Sequence, residues 1–342
     1  MSLRPLLLVD ASQTDPPDLS NLPSHMSTTI RFHEYGPPSV LKIEDDNIGE
    51  PGAGEARLRH EAIGVNYIDT MFRQGVFPVP LPSVPGVEGA GTIEAVGAGV
   101  KNFKPGQRVA YFLAPGSYAA VRLISADALV AIPDDMTSEQ VVTVLTKGLT
   151  AWAGLNGYHQ LERGQSVLVQ GASSAVGLLI SRWAKLLGAT VIGTAGSEDK
   201  RAAIADGIDH AFLSNDPQLA DKVRQVAPAG VDVVYEFVGK ATFDATVASV
   251  RDGGRIVSIG AASGQPEVDK AELARRAITT TGGPMAQHVQ PVVAKAVGEV
   301  FDAYRKGVFG TIPVTRYPLA KAAQAHEDIA ARRKSGIMIL VP

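Results

Sequence analysis

Residues 167–177 read Val-Leu-Val-Gln-Gly-Ala-Ser-Ser-Ala-Val-Gly, a buried apolar strand that runs into a turn of small residues and then into a helix. No other segment restricts the chain as much. Small residues at such a turn let an anionic group approach the backbone, where N–H groups and the positive end of the helix hold it. Taken alone, the stretch also fits a plain strand-to-helix turn, because Ser173, Ser174 and Ala175 stand where the usual fingerprint has more glycine. Its surroundings add weight. Strands are predicted over residues 166–170, 190–194, 210–213, 231–238, 255–259 and 277–281, with helices over 175–187, 200–205 and 218–226. Units of that size suit right-handed βαβ crossovers. Six such strands complete a doubly wound, parallel Rossmann sheet in an α/β protein.

The first half has a different rhythm. From about Thr29 to Gly148, short β-rich runs such as 56–63, 91–97 and 107–112 alternate with Gly and Pro, the pattern of a barrel-like β domain. A chain of 342 residues is too long for one ordinary core, so two domains are expected. Residues 149–283 form the Rossmann domain in this reading. Residues 26–148 form the β-rich domain, and 284–342 return to complete it through helices over 292–306 and 321–333 and a strand over 337–341. Residues 1–25, rich in Pro, Ser and Asp, read as an N-terminal extension, disordered, vector-derived or the product of an upstream start.

Composition narrows the chemistry. Lys and Arg number 32 against 35 Asp and Glu, a net charge of −3 with no dense basic block, so no nucleic-acid partner is expected. The apolar run over 6–9 is too short for a membrane span or a signal-peptide core, which leads to the expectation of a cytoplasmic protein without a membrane partner. There is no cysteine, which excludes disulfides, thiolate metal sites and thiol nucleophiles.

The end of the second strand bears on the cofactor. An acidic residue there would bind the ribose 2′-hydroxyl of NAD, whereas this chain reads Thr194-Ala-Gly196-Ser197, with Lys200 and Arg201 shortly after. That favours a 2′-phosphate and NADPH. Glu198 and Asp199 lie in the same turn, however, and Lys200 and Arg201 also read as solvated helix-start residues. Two later turns, Phe237-Val-Gly239 and Gly260-Ala261-Ala262-Ser263-Gly264, fall at strand ends where ligands of open α/β sheets sit. The expected binding set is therefore Gly171, Ser173, Ser174, Ala175, Val176, Gly177, Gly196, Ser197, Lys200, Phe237, Gly260, Ala261, Ala262 and Ser263.

Four further stretches are Ala62-Ile-Gly-Val-Asn66-Tyr-Ile-Asp69-Thr, Gly86-Val-Glu88-Gly-Ala-Gly91, Leu145-Thr-Lys147-Gly-Leu-Thr150-Ala and Pro318-Leu-Ala-Lys-Ala-Ala-Gln-Ala-His326. In order and spacing the chain from Thr28 onward resembles the quinone oxidoreductase branch of the medium-chain dehydrogenase/reductase superfamily. The resemblance implies a GroES-like β domain completed by the C-terminal segment, a Rossmann domain, a cleft for NADPH, a homodimer, and reduction of a small conjugated acceptor such as a quinone or enone. It also implies roles for residues. Asn66 would lie beside the nicotinamide and orient its ribose or the acceptor, Asp69 would order that loop, and Lys147 and Thr150 would lie near the cofactor at the domain junction. Ser214 would stand near the adenine ribose where relatives often have Tyr. By residue type alone, Asn66 also reads as a turn-stabilising amide and Lys147 as a surface lysine.

Zinc-dependent members of the superfamily carry Cys and His ligands where this chain has Asn66 and Val87, so no metal is expected. Relatives carry tyrosines where this chain has Met71 and Phe77, and an Arg expected after the sixth strand is lost in Thr281-Gly-Gly283-Pro-Met. Two other readings stay open. An enoyl-thioester or alkenal reductase needs a proton for the α-carbon, for which Tyr67 is the nearby phenol. A nucleotide-binding accessory protein, structural or RNA-binding, needs little turnover.

Overall fold

The computed structural model describes residues 26–331 and 336–342. The extension expected over 1–25 and the end of the helix expected over 321–333 lie outside the described residues.

Six parallel strands form one sheet, in the spatial order His210–Leu213, Thr190–Ala195, Ser166–Gln170, Val231–Glu236, Val250–Ser258, Thr279–Gly282. The alternation of side chains explains why the central strands carry apolar residues on both faces. Val167, Val169, Val191, Val233 and Val257 enter one core, whereas Leu168, Ile192, Val234 and Ile256 enter a second core on the opposite face. Strand order reverses between Ser166–Gln170 and Val231–Glu236, which opens a crevice at their carboxyl ends. The sixth strand starts two residues later than expected. Ala277 has φ of 53° and cannot belong to an extended strand.

A second, mainly antiparallel sheet runs Val314–Pro318, Ile337–Val341, Glu55–Val65, Gly89–Val96, Arg108–Tyr111, Leu129–Ala131, with Val121–Ser125 paired to Glu55–Val65. Met26–Arg31 and Lys42–Asn47 form a separate hairpin. The C-terminal segment is stitched in where Met338 faces Val65 and Leu340 faces Ile63.

Two helices interrupt the half that reads as β-rich, and both carry a start signal in their sequence. Tyr67–Gln74 begins after Asn66, whose backbone N–H donates to the carboxylate of Asp69. Ser138–Trp152 begins with a reciprocal capping box, Thr137 N–H to Gln140 Oε1 at 2.8 Å and Gln140 N–H to Thr137 Oγ1 at 3.2 Å. This second helix is buried along nearly its whole length and packs on strands Glu55–Val65 and Gly89–Val96 as well as on helices Ala175–Leu186 and Val293–Arg305. Both sheets share it, so the division expected at 148/149 passes through one continuous helix. Val297, Val300 and Phe301 join the core of the parallel sheet, and the chain re-enters the antiparallel sheet at Val314. Among the described residues, no helix is long and apolar enough to cross a membrane.

The crossing of Ser138–Trp152 with Val293–Arg305 depends on Gly148, where an added Cβ would lie 2.6 Å from Val300 Cγ1. Gly298, on the exposed side of Val293–Arg305, has nothing within 4 Å. Gly148→Ala is therefore expected to destabilise the protein by about 1–2 kcal/mol through overpacking. Gly298→Ala should stabilise it by up to about 1 kcal/mol through helix propensity. Equilibrium unfolding in urea checks both, and equal signs for the two variants would contradict the packing argument.

Candidate active site

At the carboxyl edge of the parallel sheet, three turns press on one another. Gly171 has φ of 80°, and a Cβ there would lie 3.1 Å from Val238 Cγ2. One at Gly177 would lie 2.3 Å from the carbonyl oxygen of Gly171, and one at Gly260 would lie 2.9 Å from that of Phe237. Ser263 binds the Val238 carbonyl through both its N–H and its hydroxyl, each at 2.7 Å. The result is a tight, side-chain-poor cradle.

The amides of both glycines in the strand-to-helix turn are already used. Gly171 N–H donates to Thr194 Oγ1 at 3.2 Å and Gly177 N–H to Ser174 Oγ at 3.1 Å. These glycines thus shape the cradle by lacking a side chain, a different means from the amide donation expected of the turn. Ser173, Ala175 and Val176 complete the turn and the first helical residues, all part-exposed.

At the neighbouring strand ends, Gly196 faces open space, Ser197 caps the helix Glu198–Ile204, and Ser214 N–H donates to Ala195 O at 2.9 Å. Lys200 lies in the first turn of that helix; Arg201 is held by Glu198. Ala261 and Ala262 line the turn beside Phe237. The structure thus gathers the expected binding set, and Ser214 with it, along one edge, whereas Thr150 and Asn66 belong to other elements. Thr150 lies on Ser138–Trp152 and donates its hydroxyl to Thr146 O at 2.8 Å.

Asn66 and Lys147 meet through a residue the residue-by-residue reading did not single out. Glu88 is fully buried and accepts Lys147 Nζ at 2.5 Å, Asn66 Nδ2 at 3.0 Å and the Thr146 backbone N–H at 2.9 Å. Lys147 is only 4% exposed, so it is not a surface lysine. Gly64 makes room, since a Cβ there would lie 2.2 Å from Glu88 Oε2. A lone carboxylate inside the small-residue run 86–91 was the available signal. Asn66, half-buried, is the member of this group that reaches the surface, beside Tyr67, which is 44% exposed.

A second buried chain supports the same helix. Arginine can only donate, so Arg73 Nε–H to His326 Nδ1 at 3.2 Å leaves the imidazole proton on Nε2. That nitrogen donates to Tyr118 Oη at 3.0 Å, and Tyr118 donates to Asp69 Oδ2 at 3.1 Å. Asp69 Oδ2 also accepts Asn66 N–H at 2.8 Å, while Oδ1 is buried without a partner. Burial lowers the pKa of His326 to about 3, which keeps it neutral, and raises that of Asp69 to about 7.

Zinc does not fit here. Asn66 offers only a neutral amide, Val87 an alkyl group, and no three His, Cys, Asp or Glu side chains converge among the described residues.

The Asp69 shift has a definite sign. Because folding raises its pKa from 3.8 to about 7, the folded state holds more protons in that interval. Its contribution to stability is full below about pH 4 and is lost as pH rises through about 7. Asp69→Asn should therefore gain stability relative to the parent between pH 5 and 8, with a levelling above that range. Denaturant unfolding at several pH values checks this, and a pH-independent difference would contradict it.

Residues 52–134 match the alcohol dehydrogenase GroES-like domain family and residues 175–299 the zinc-binding dehydrogenase family. The chain is 37% identical to the quinone oxidoreductase of Pseudomonas aeruginosa, over 93% of this chain and 100% of that one. It is 34% identical to the 2-haloacrylate reductase of a Burkholderia species, over 91% and 98% of the two chains. The structure of Escherichia coli quinone oxidoreductase complexed with NADPH superposes with a TM-score of 0.88 at 32% identity, covering 92% of this chain and 100% of that one. With a GroES-like β domain, a Rossmann sheet and relatives matched along almost their whole length, the chain belongs to the quinone oxidoreductase branch of the medium-chain dehydrogenase/reductase superfamily.

Proposed function

We propose that this protein binds NADPH along the carboxyl edge of the parallel sheet and reduces quinones or related conjugated carbonyl acceptors beside Asn66. One observation carries the reading: the amide of half-buried Asn66 is fixed by a buried carboxylate–lysine pair in a place where no three metal-ligating side chains converge among the described residues. Such a site orients a substrate and does not polarise it. NADPH, when bound, supplies the hydride. An electron-poor conjugated acceptor suits this equipment because it spreads the incoming charge over its own oxygen.

The residues divide the work. Gly171, Gly177, Gly239 and Gly260 let the turns pack closely into a side-chain-poor edge against which a diphosphate can lie, and the part-exposed Ser173 and the exposed Ser174 offer hydroxyls beside it. The open end of the second strand at Gly196 suits a 2′-phosphate, with Lys200 as its cation and Ser197 beside it. Glu88 holds the Asn66 amide nitrogen, which fixes the orientation of that side chain. Lys147 neutralises Glu88 and thereby positions Asn66 from within, as Asp69 does through the backbone; neither is assigned contact with the reacting atoms. The resemblance to a quinone oxidoreductase solved with NADPH supports the cofactor. The protein is proposed to act as a cytoplasmic homodimer, with light scattering as the check on assembly.

A second reading, reduction of a conjugated alkene, is supported by the 2-haloacrylate reductase among the relatives and by the exposed Tyr67 phenol as a proton donor. NADPH oxidation with 1,4-benzoquinone, 9,10-phenanthrenequinone, crotonyl-CoA and 2-chloroacrylate separates the two. Quinones should give the highest kcat/KM; preference for the thioester or haloacrylate would reverse the order. Tight NADPH binding without turnover of any of the four would make the protein a nucleotide-binding accessory.

Two substitutions test the assignments. Asn66→Ala should lower kcat roughly tenfold or more with little change in NADPH affinity. Lys200→Ala should raise the Kd for NADPH roughly tenfold more than that for NADH, a loss of about 1.5–3 kcal/mol of charge-assisted bonding. Equal weakening of both cofactors would remove Lys200 from the 2′-phosphate role.

A further inference from the structure

Beneath the cradle, hydrogen bonds join the turn at Gly171 to the turn after the fourth strand. Gly171 N–H donates to Thr194 Oγ1 at 3.2 Å, and Thr194 Oγ1 donates to Gln170 Oε1 at 2.7 Å. Gln170 Nε2 then donates to Thr246 Oγ1 at 3.2 Å, and Thr246 Oγ1 to Glu236 Oε2 at 2.7 Å. The other carboxylate oxygen of Glu236 accepts the N–H groups of Val238 at 2.8 Å and Gly239 at 3.0 Å. Thr242 adds its hydroxyl to the same carboxylate at 3.0 Å.

The direction of this chain is forced. An ionised Glu236 only accepts, so Thr246 must spend its single proton on it and must itself accept from the Gln170 amide nitrogen. That orients the Gln170 carbonyl toward Thr194, whose proton it takes, leaving Thr194 to accept Gly171 N–H. One arrangement of protons satisfies every member. Gln170, Thr194, Glu236 and Thr246 are all buried, with at most 1% of any of them exposed, so none can touch a ligand. Yet the two ends of the chain are backbone turns that face the crevice where strand order reverses.

We infer that Gln170, Thr194, Thr246 and Glu236 are positioning residues that hold the Gly171 turn and the 237–239 turn at a fixed separation, so that one extended dinucleotide is gripped at both. The inference rests on the reading that NADPH lies along this edge. Its consequence concerns span: a ligand that engages both turns needs the chain, whereas one that stops at the first turn does not.

Thr246→Val removes the central hydroxyl at almost constant volume, and Thr246→Ser restores it. Dissociation constants for NADPH and for adenosine 2′,5′-bisphosphate, which carries only the adenosine half, are measured by calorimetry for the parent and each variant. Thr246→Val should raise the NADPH Kd about five- to tenfold, the factor for one net hydrogen bond, and move the half-ligand by less than about twofold. Thr246→Ser should return the NADPH value toward the parent. Thr194→Val should give a NADPH loss of similar size, and the double variant no more than the larger single loss, because one broken link already disconnects the turns. Equal weakening of both ligands by Thr246→Val, or losses that multiply in the double variant, would overturn the inference. Failure of the parent to bind NADPH would instead remove the functional reading on which it rests.

Discussion

The Glu88 carboxylate is the contact on which the site's geometry depends. It lies inside the molecule with no exposed surface, and it ties the helix Ser138–Trp152, shared by both sheets, to the strand end that carries Asn66. A buried carboxylate is tolerated only when its charge and lone pairs are matched. Lys147 supplies the charge, and the Thr146 N–H and the Asn66 amide supply the remaining donors. The geometry that solves this electrostatic problem also fixes the Asn66 side chain, so the stability requirement and the orientation of the site share one set of atoms.

The same economy appears on either side of that contact. Toward the C-terminus, Arg73, His326, Tyr118 and Asp69 form a chain whose proton positions follow from the inability of arginine to accept, and it ends on the backbone of Asn66. In the Rossmann domain, Glu236 anchors a second directional chain that ends at Gly171. Both networks put charged or polar groups where water cannot compensate for a lost partner, and this raises the cost of any alternative arrangement. The surfaces offered to ligands are, by contrast, mostly glycine backbone, small side chains and one amide.

Glycine is used at the site mainly for clearance. Gly64 yields to Glu88 and Gly177 to the Gly171 carbonyl. In each case a methyl group would occupy space already filled by oxygen, so the small residues read in the strand-to-helix turn serve approach between chain segments as well as approach by a ligand.

Much of this was legible in the amino-acid order. Parallel strands buried on both faces must be apolar there, and that local demand makes 167–169 and 233–235 readable without coordinates. The absence of cysteine, and of a cation-binding side chain at Val87, is likewise a property of the sequence itself. The helices Tyr67–Gln74 and Ser138–Trp152 had readable caps at Asn66–Asp69 and Thr137–Gln140, obscured by the β-rich runs around them. The fate of Lys147 was decided elsewhere. Whether a lysine lies in water or in the core depends on whether a carboxylate awaits it, and Glu88 is brought to it only by packing of the shared helix on the antiparallel sheet. Gln170, Thr194, Thr246 and Glu236 likewise stand in separate strands and a helix, and no spacing along the chain announces that they touch. Patterns of burial are local and so are written in the sequence; the pairing of buried polar groups is not local, and tertiary structure alone decided it.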